Sequence, residues 1–438
     1  MKVQINQTIL SGAIASAILA ISSKPCTPIT GCIIIEASTE NKLTLKSTDA
    51  SFSINQIIDA DVIEAGTVAV LGKKLNDTIN TLTGELTLSA DEQHLTITYE
   101  TGLCRLAINE NLDEFPQIES SCDDIEPTSV FLLSSLKLQK AIASVLYSTA
   151  NDQTKMLLTG ANFSIAGNEL YATATDGHRL ARIKLSLDKN KDNEDYDKQF
   201  NFTVSAKILT SVLKVLQRAP ENNDCVIHVF DKIVVMNMPG IKMVSSLLDG
   251  QFPAIERIIP NEFIYKFTIE RKAFLATIKR VENLAHEKDK SVLIDFNANN
   301  CNAIVSTESS DYGEAYDSIS IKPEAKTTGN INIGFNIDYL YQAVNSIDTD
   351  EIVINCNNGV GPVVISPIGG LIEQTALVMP LQIRRGNNTE TPETPVETSS
   401  TQKPVEKEVS PKKSNKSLTK TISTKSKSTT ARKSKVAA

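Results

Sequence analysis

An α+β protein of three similar domains, each built from two β-α-β-β(-β) units, is what the sequence predicts. Three observations carry this. A short strand followed closely by a helix recurs six times, two short motifs repeat about one domain apart, and positive charge gathers on the helices of an acidic body. The first unit is a strand over 2–6, where Val3 and Ile5 alternate with Gln4 and Asn6, and a helix over 7–22, where Leu10, Ile14, Ala17, Ile18 and Ile21 recur at helical spacing. The stretch 9–22 also resembles the apolar core of a signal peptide behind Lys2, but the alternation ahead of it argues for strand and helix. The other units are 67–71 with 73–83, 129–133 with 135–149, 202–205 with 206–219, 265–269 with 271–285, and 331–335 with 337–347. Further strands follow the helices, at 32–36 and 43–47 after the first and at 352–355 and 363–365 after the last.

The echoes pair six units into three domains. Phe115-Pro116 recurs as Phe252-Pro253, and Thr48-Asp49 recurs as Thr175-Asp176 and more faintly as Ser310-Asp311. Domains over 1–125, 126–258 and 259–385 follow, each with antiparallel sheets outside and two helices packed together; α+β domains without this symmetry are the alternative. A chain of 438 residues with 41% apolar residues fits two to four domains. Seven cysteines (Cys26, Cys32, Cys104, Cys122, Cys225, Cys301 and Cys356) are odd in number and never spaced C-x-x-C. That argues against a disulfide framework or zinc ribbon and for a reducing compartment. His94, His178, His228 and His286 lack metal-ligand spacing. No metal or cofactor, no membrane span and a cytoplasmic location are therefore expected.

Charge is unevenly placed. From Gly386 to Ala438 stand 11 basic residues and 5 Glu, so the body over 1–385 carries a net −14 within an overall −8. Beyond Glu408 the tail has nine basic residues and no acid, with many Ser, Thr and Pro, a composition expected to be disordered. A basic arm for nucleic acid and a solubilising extension are both open readings of it. Within the body, the predicted helices hold Lys73, Lys74, Lys137, Lys140, Lys207, Lys214, Arg218, Arg271, Lys272, Lys279 and Arg280 against Asp77, Glu270, Glu282 and Asp338. A shared helix face of that kind attracts phosphate without reading sequence; a solvated Lys-rich face is the bland alternative.

No phosphate loop, dinucleotide fingerprint, H-E-x-x-H or G-x-S-x-G occurs. Asp123-Asp124 and Asp348 with Asp350 read as turn formers. Thr175-Asp176-Gly177-His178-Arg179-Leu180 places Asp-Gly between two β runs, a hairpin signal, and no nucleophile lies nearby to make an enzyme of Asp176, His178 and Arg179.

The octapeptide 174–181, Ala-Thr-Asp-Gly-His-Arg-Leu-Ala, resembles the bacterial DNA polymerase III β subunit family, the DNA sliding clamps. Phe252-Pro253, Gly334-Phe335-Asn336 and Val378-Met379-Pro380-Leu381 follow in the family's order, and the resemblance runs from Met1 to about Ile383. It implies a non-catalytic processivity factor of DNA replication and repair. Two three-domain protomers would close head to tail into a homodimeric ring, with helices lining a hole that duplex DNA passes through and sheets outside. The edge of domain one and the first helix of domain three, near Leu284, would meet. Lys24, Lys207, Lys155 and Lys288 would join the helix residues Lys73, Lys74, Lys137, Lys140, Lys214, Arg271 and Lys279 in facing DNA. Met156 and Leu157 stand where the family often has aromatic residues.

The resemblance also implies a groove for Gln-Leu-x-Leu/Ser-Leu/Phe segments of the clamp loader and of replicative and repair polymerases. Its residues would be Leu158, Thr175, Gly177, His178, Arg179, Leu180, Pro253, Arg257, Ile258, Asn336, Tyr339, Val378, Met379, Pro380 and Leu381. Leu381 replaces a common Met, and Leu is the stiffer side chain. Family chains end near this point, whereas this one continues for some fifty residues. A three-domain scaffold that forms no ring is the competing reading.

Overall fold

The computed structural model describes residues 1–382 apart from 23, 26, 117, 119–124, 188–199, 221–222, 289 and 371. The tail expectation, Cys26, Cys122 and Asp123-Asp124 thus lie outside the described residues.

The first domain runs β1 (Lys2–Asn6), α1 (Gln7–Ala17), β2 (Cys32–Ala37), β3 (Lys42–Thr48), β4 (Phe52–Asp59), β5 (Asp61–Glu64), β6 (Gly66–Leu71), α2 (Gly72–Ile79), β7 (Glu85–Ala90), β8 (His94–Tyr99) and β9 (Gly102–Ala107). The second runs β10 (Ser129–Ser134), α3 (Ser135–Val145), β11 (Gly160–Ala166), β12 (Glu169–Thr175), β13 (Arg179–Ser186), β14 (Phe200–Ser205), α4 (Ala206–Leu216), β15 (Asp224–Val229), β16 (Ile233–Met238) and β17 (Ile241–Ser246). The third runs β18 (Tyr265–Glu270), α5 (Arg271–Glu282), β19 (Ser291–Asn297), β20 (Asn302–Ser309), β21 (Gly313–Ser320), β22 (Lys322–Pro323), β23 (Asn330–Asn336), α6 (Ile337–Asn345), β24 (Glu351–Cys356), β25 (Val363–Pro367) and β26 (Glu373–Val378).

Each helix begins where a strand ends, and in four of the six the strand's last residue caps it through its side chain. Asn6, Ser134, Ser205 and Asn336 accept from the backbone N–H of Thr8, Lys137, Ile208 and Tyr339 and so satisfy a donor the first turn leaves open. The helices stop earlier than their apolar spacing predicts. Thr81 Oγ1 donates to Thr78 O (2.7 Å) and Thr149 Oγ1 to Leu146 O (2.9 Å), so a side chain takes up a terminal carbonyl and the backbone leaves the helix. Helix packs on helix within each domain, α1 on α2, α3 on α4 and α5 on α6. No described helix is long and apolar enough to cross a membrane.

Among the described residues all ladders within the four sheets are antiparallel, and two sheets run across domain boundaries. One orders β10-β15-β16-β17-β4-β3-β2-β6 and the other β14-β11-β12-β13-β26-β25-β24-β18-β22. At the first junction Phe52 lies opposite Ser245 and Ile54 opposite Met243; at the second Arg179 lies opposite Val378 and Ala181 opposite Ala376. This continuity lets Phe52 and Ile54 bury their side chains in the second domain's core, so separating the domains would expose apolar surface on both sides. The remaining sheets, β5-β1-β7-β8-β9 and β21-β20-β19-β23, end in β9 and β21, each paired on one side only among the described residues.

Candidate peptide groove and basic helix face

Thr175 to Leu180 form the turn between β12 and β13, four residues long between the paired Thr175 and Leu180. Thr175 Oγ1 donates to Arg179 O (2.7 Å) and accepts the N–H of Gly177 (3.2 Å). Asp176 Oδ1 accepts the N–H groups of His178 (2.8 Å) and Arg179 (3.0 Å), the pattern by which Asp stabilises a turn. Gly177 takes φ +94°, which a residue with a Cβ resists. The turn is thereby rigid before any ligand arrives.

Arg179 is turned inward. Its Nε donates to Asp176 Oδ2 at 3.0 Å, Nη1 donates to Gln342 Oε1 on α6, and the guanidinium lies 4.4 Å over the Tyr339 ring and 5.6 Å from that of Tyr147. Burial pushes the Tyr147 phenol above its ordinary pKa. Arg179 therefore ties the second-domain turn to the third domain's helix, and exposed His178 is left at the surface, its ring 6.4 Å from Tyr339.

Around the turn, Leu180 packs with Ile255, Val364 and Leu377, and Phe252, Ile259, Phe263 and Met379 close over this cluster. Met379 N donates to His178 O (2.8 Å) and Leu381 N to Gly334 O (2.8 Å), so the strand end 378–381 lies between the turn and β23. Asn336 and Tyr339 stand at the start of α6. Ile258 is 47% exposed and Leu381 38%, with Pro253 and Arg257 exposed and Pro380 half-buried beside them. The result is an apolar floor with exposed apolar rims, suited to an extended peptide with two apolar anchors. Val378 points into the third-domain core and offers only its backbone. Leu158 is half-buried in the 3-10 segment Gln153–Thr159; in that segment Lys155 brings Nζ to 3.7 Å from where a Cβ on Gly177 would stand, at the turn rather than on any of the six helices. Tyr147 and Gln342 were not singled out from sequence, because nothing in their spacing shows that Arg179 points at them.

Most of the basic helix residues have partners. Lys137 Nζ donates to Ser186 O, Lys140 pairs with Asp348 (3.0 Å), Lys207 with Asp49 (2.6 Å), Lys272 with Asp350 (3.5 Å), Lys279 with Glu282 (2.8 Å) and Arg280 with Asp317 (2.5 Å). Arg218 and Arg271 donate to the carbonyls of Ala15 and Thr349. Lys24, Lys73, Lys74, Lys214 and Lys288 are exposed. Asp348 and Asp350, expected as turn formers, also neutralise lysines on α3 and α5. Among the described residues no group of three or more His, Cys, Asp and Glu side chains could hold a metal.

Comparison with known proteins agrees with this architecture. Profiles of the DNA polymerase III beta subunit match in order: the N-terminal domain over 1–119, the central domain over 132–254 and the C-terminal domain over 256–382. The beta sliding clamp of Synechocystis sp. is 29% identical over 399 residues, covering 87% of this chain and all of the relative. Crystal structures of the DNA polymerase sliding clamp from Bacillus subtilis (TM-score 0.79, 22% identity, 88% of this chain and 100% of that one) and of the DNA polymerase III beta subunit from Thermotoga maritima (0.78, 23%, 87% and 100%) share the fold. Three domains of one plan define a sliding-clamp architecture, a non-catalytic subunit of DNA replication. The chain belongs to the DNA polymerase III beta subunit family.

Proposed function

We propose that two copies of this chain close head to tail around duplex DNA, helices inward, and that the groove beside Thr175–Leu180 captures short segments of replicative and repair polymerases and of the clamp loader. Domain limits near 125 and 258 belong to this reading, as does work in the cytoplasm at the nucleoid. One observation carries the ring. At both internal junctions the last strand of a first half-domain (β4, β13) pairs with the last strand of a second half-domain (β17, β26), which leaves β21 and β9 as the unmatched pair. Leu103 on β9 is 54% exposed and Tyr316 on β21 80%, apolar surface that a partner copy would cover. Contacts with phosphates that repeat along the duplex would hold the DNA while letting the ring move. The basic tail adds to this attraction, and deleting 387–438 is expected to weaken salt-dependent DNA binding.

The groove is tested by fluorescence polarisation of a labelled Gln-Leu-x-Leu-Phe peptide. Saturable binding that a variant with His178→Ala and Arg179→Ala loses is expected. No binding by the full chain or by residues 1–386 would leave only the scaffold reading.

A further inference from the structure

The turn at the groove has a double at the junction of the first and second domains. Thr48 Oγ1 donates to Phe52 O (3.0 Å) and accepts from Ala50 N (3.1 Å), as Thr175 does with Arg179 and Gly177. Asp49 Oδ1 accepts the N–H groups of Ser51 (3.0 Å) and Phe52 (2.9 Å), as Asp176 does those of His178 and Arg179. Ser246 N donates to Ser51 O (2.9 Å) where Met379 N donates to His178 O (2.8 Å), and Ala50 and Gly177 share a positive φ. One bond differs. Asp176 Oδ2 is held by Arg179 of its own turn, but the matching residue in the first domain is Phe52, whose ring lies in the second domain's core. The cation for Asp49 comes instead from across the junction, with Lys207 Nζ 2.6 Å from Oδ2.

The two partners are unequally placed. The Asp49 side chain is 8% exposed and the Lys207 side chain 77%. A carboxylate that enclosed is costly without a counter-charge, so Asp49 holds the ammonium more firmly than an exposed pair would. Burial raises the Asp49 pKa, and the Lys207 and Ser51 hydrogen bonds more than reverse that, leaving it below the ordinary value. The same helix is tied to the first domain once more by Ser211 Oγ donating to Leu19 O (3.1 Å), and the turn just after it by Arg218 Nη1 donating to Ala15 O (2.5 Å).

We infer that Asp49 withholds Lys207 from DNA, making Lys207 a clasp between the first two domains rather than one of the phosphate contacts of the ring. The inference rests on the reading that α4 faces the duplex, and Lys214, exposed in the last turn of that helix, supplies the control. Asp49→Asn keeps an oxygen for the two turn N–H groups and removes the charge that Lys207 answers.

Binding of full-length variants to a short labelled duplex, titrated against KCl by fluorescence anisotropy, reads the number of phosphate contacts from the salt slope, about 0.9 per contact. The tail is common to all variants, so differences between slopes isolate the helix. Lys214→Gln is expected to lower the slope by about 0.9, Lys207→Gln to leave it unchanged, and Asp49→Asn to raise it by about 0.9 as the lysine is released. A lower slope in Lys207→Gln with none gained in Asp49→Asn overturns the clasp alone. If Lys214→Gln and Lys207→Gln both leave the slope unchanged and Asp49→Asn adds nothing, the helix does not face DNA, and the clasp falls with that reading.

Discussion

Arg179 and His178 are neighbours with opposite duties, and substitutions separate them. Arg179 is 9% exposed with its guanidinium shared among Asp176, Gln342 and Tyr339, so Arg179→Ala leaves a nearly enclosed carboxylate without its cation. A loss of roughly 3–5 kcal/mol in chemical denaturation is expected, together with loss of peptide binding. His178→Ala removes an exposed ring and should change stability by less than about 0.5 kcal/mol while still weakening the peptide, which distinguishes a contact from a support. The thiols make a second contrast. Burial pushes Cys225 and Cys356 up to about 12, whereas Cys301 is exposed. At pH 8 a thiol reagent should label Cys301 in the native protein and reach Cys225 and Cys356 only on unfolding. Because these two pKa values are raised in the folded state, their contribution to stability is intact below about pH 9 and is lost as pH climbs towards 12.

At the scale of elements, two glycines should respond with opposite signs. A Cβ on Gly160 at the start of β11 would lie 2.4 Å from Val204 O on the paired strand β14, so Gly160→Ala must push the strands apart, at a cost of roughly 1–3 kcal/mol. A Cβ on Gly12 in α1 meets nothing within 4 Å, and Gly12→Ala should stabilise by roughly 0.5–1 kcal/mol; thermal unfolding checks both. The six strand–helix units were legible because in each a short apolar strand runs straight into a helix and, in four of them, its last residue, Asn6, Ser134, Ser205 or Asn336, is a helix cap by chemistry. Helix ends were less so, since the hydroxyls of Thr81 and Thr149 act only once the last carbonyl is in reach. The exchange of strands between domains was not legible at all. Alternation shows that Ile54 faces a core but not that this core belongs to the next domain. In the same way, composition counted Lys140 and Lys207 as available cations, and only the fold sets Asp348 and Asp49 beside them.

For the whole molecule, the Thr48-Asp49 and Thr175-Asp176 echo proved to be one turn built twice, each beside a sheet that crosses a domain boundary. Its fainter relative departs: Asp311 donates its N–H to Ser309 Oγ, and the positive φ sits at Gly313, the first residue of the edge strand β21. If β21 meets β9 of another copy, Leu103→Asp or Tyr316→Asp should convert the protein to monomers in sedimentation velocity with the fold retained, because each puts a charge into a surface that closure would bury. The most direct test loads the protein with a bacterial clamp loader onto a nicked circular duplex, isolates the complex by gel filtration and then cuts the circle once with a restriction enzyme. A topological clamp stays with the circle at high salt and leaves when the DNA becomes linear. Retention on linear DNA, or release from the intact circle as salt rises, would show that surface contacts rather than encirclement hold the protein, and would contradict the ring.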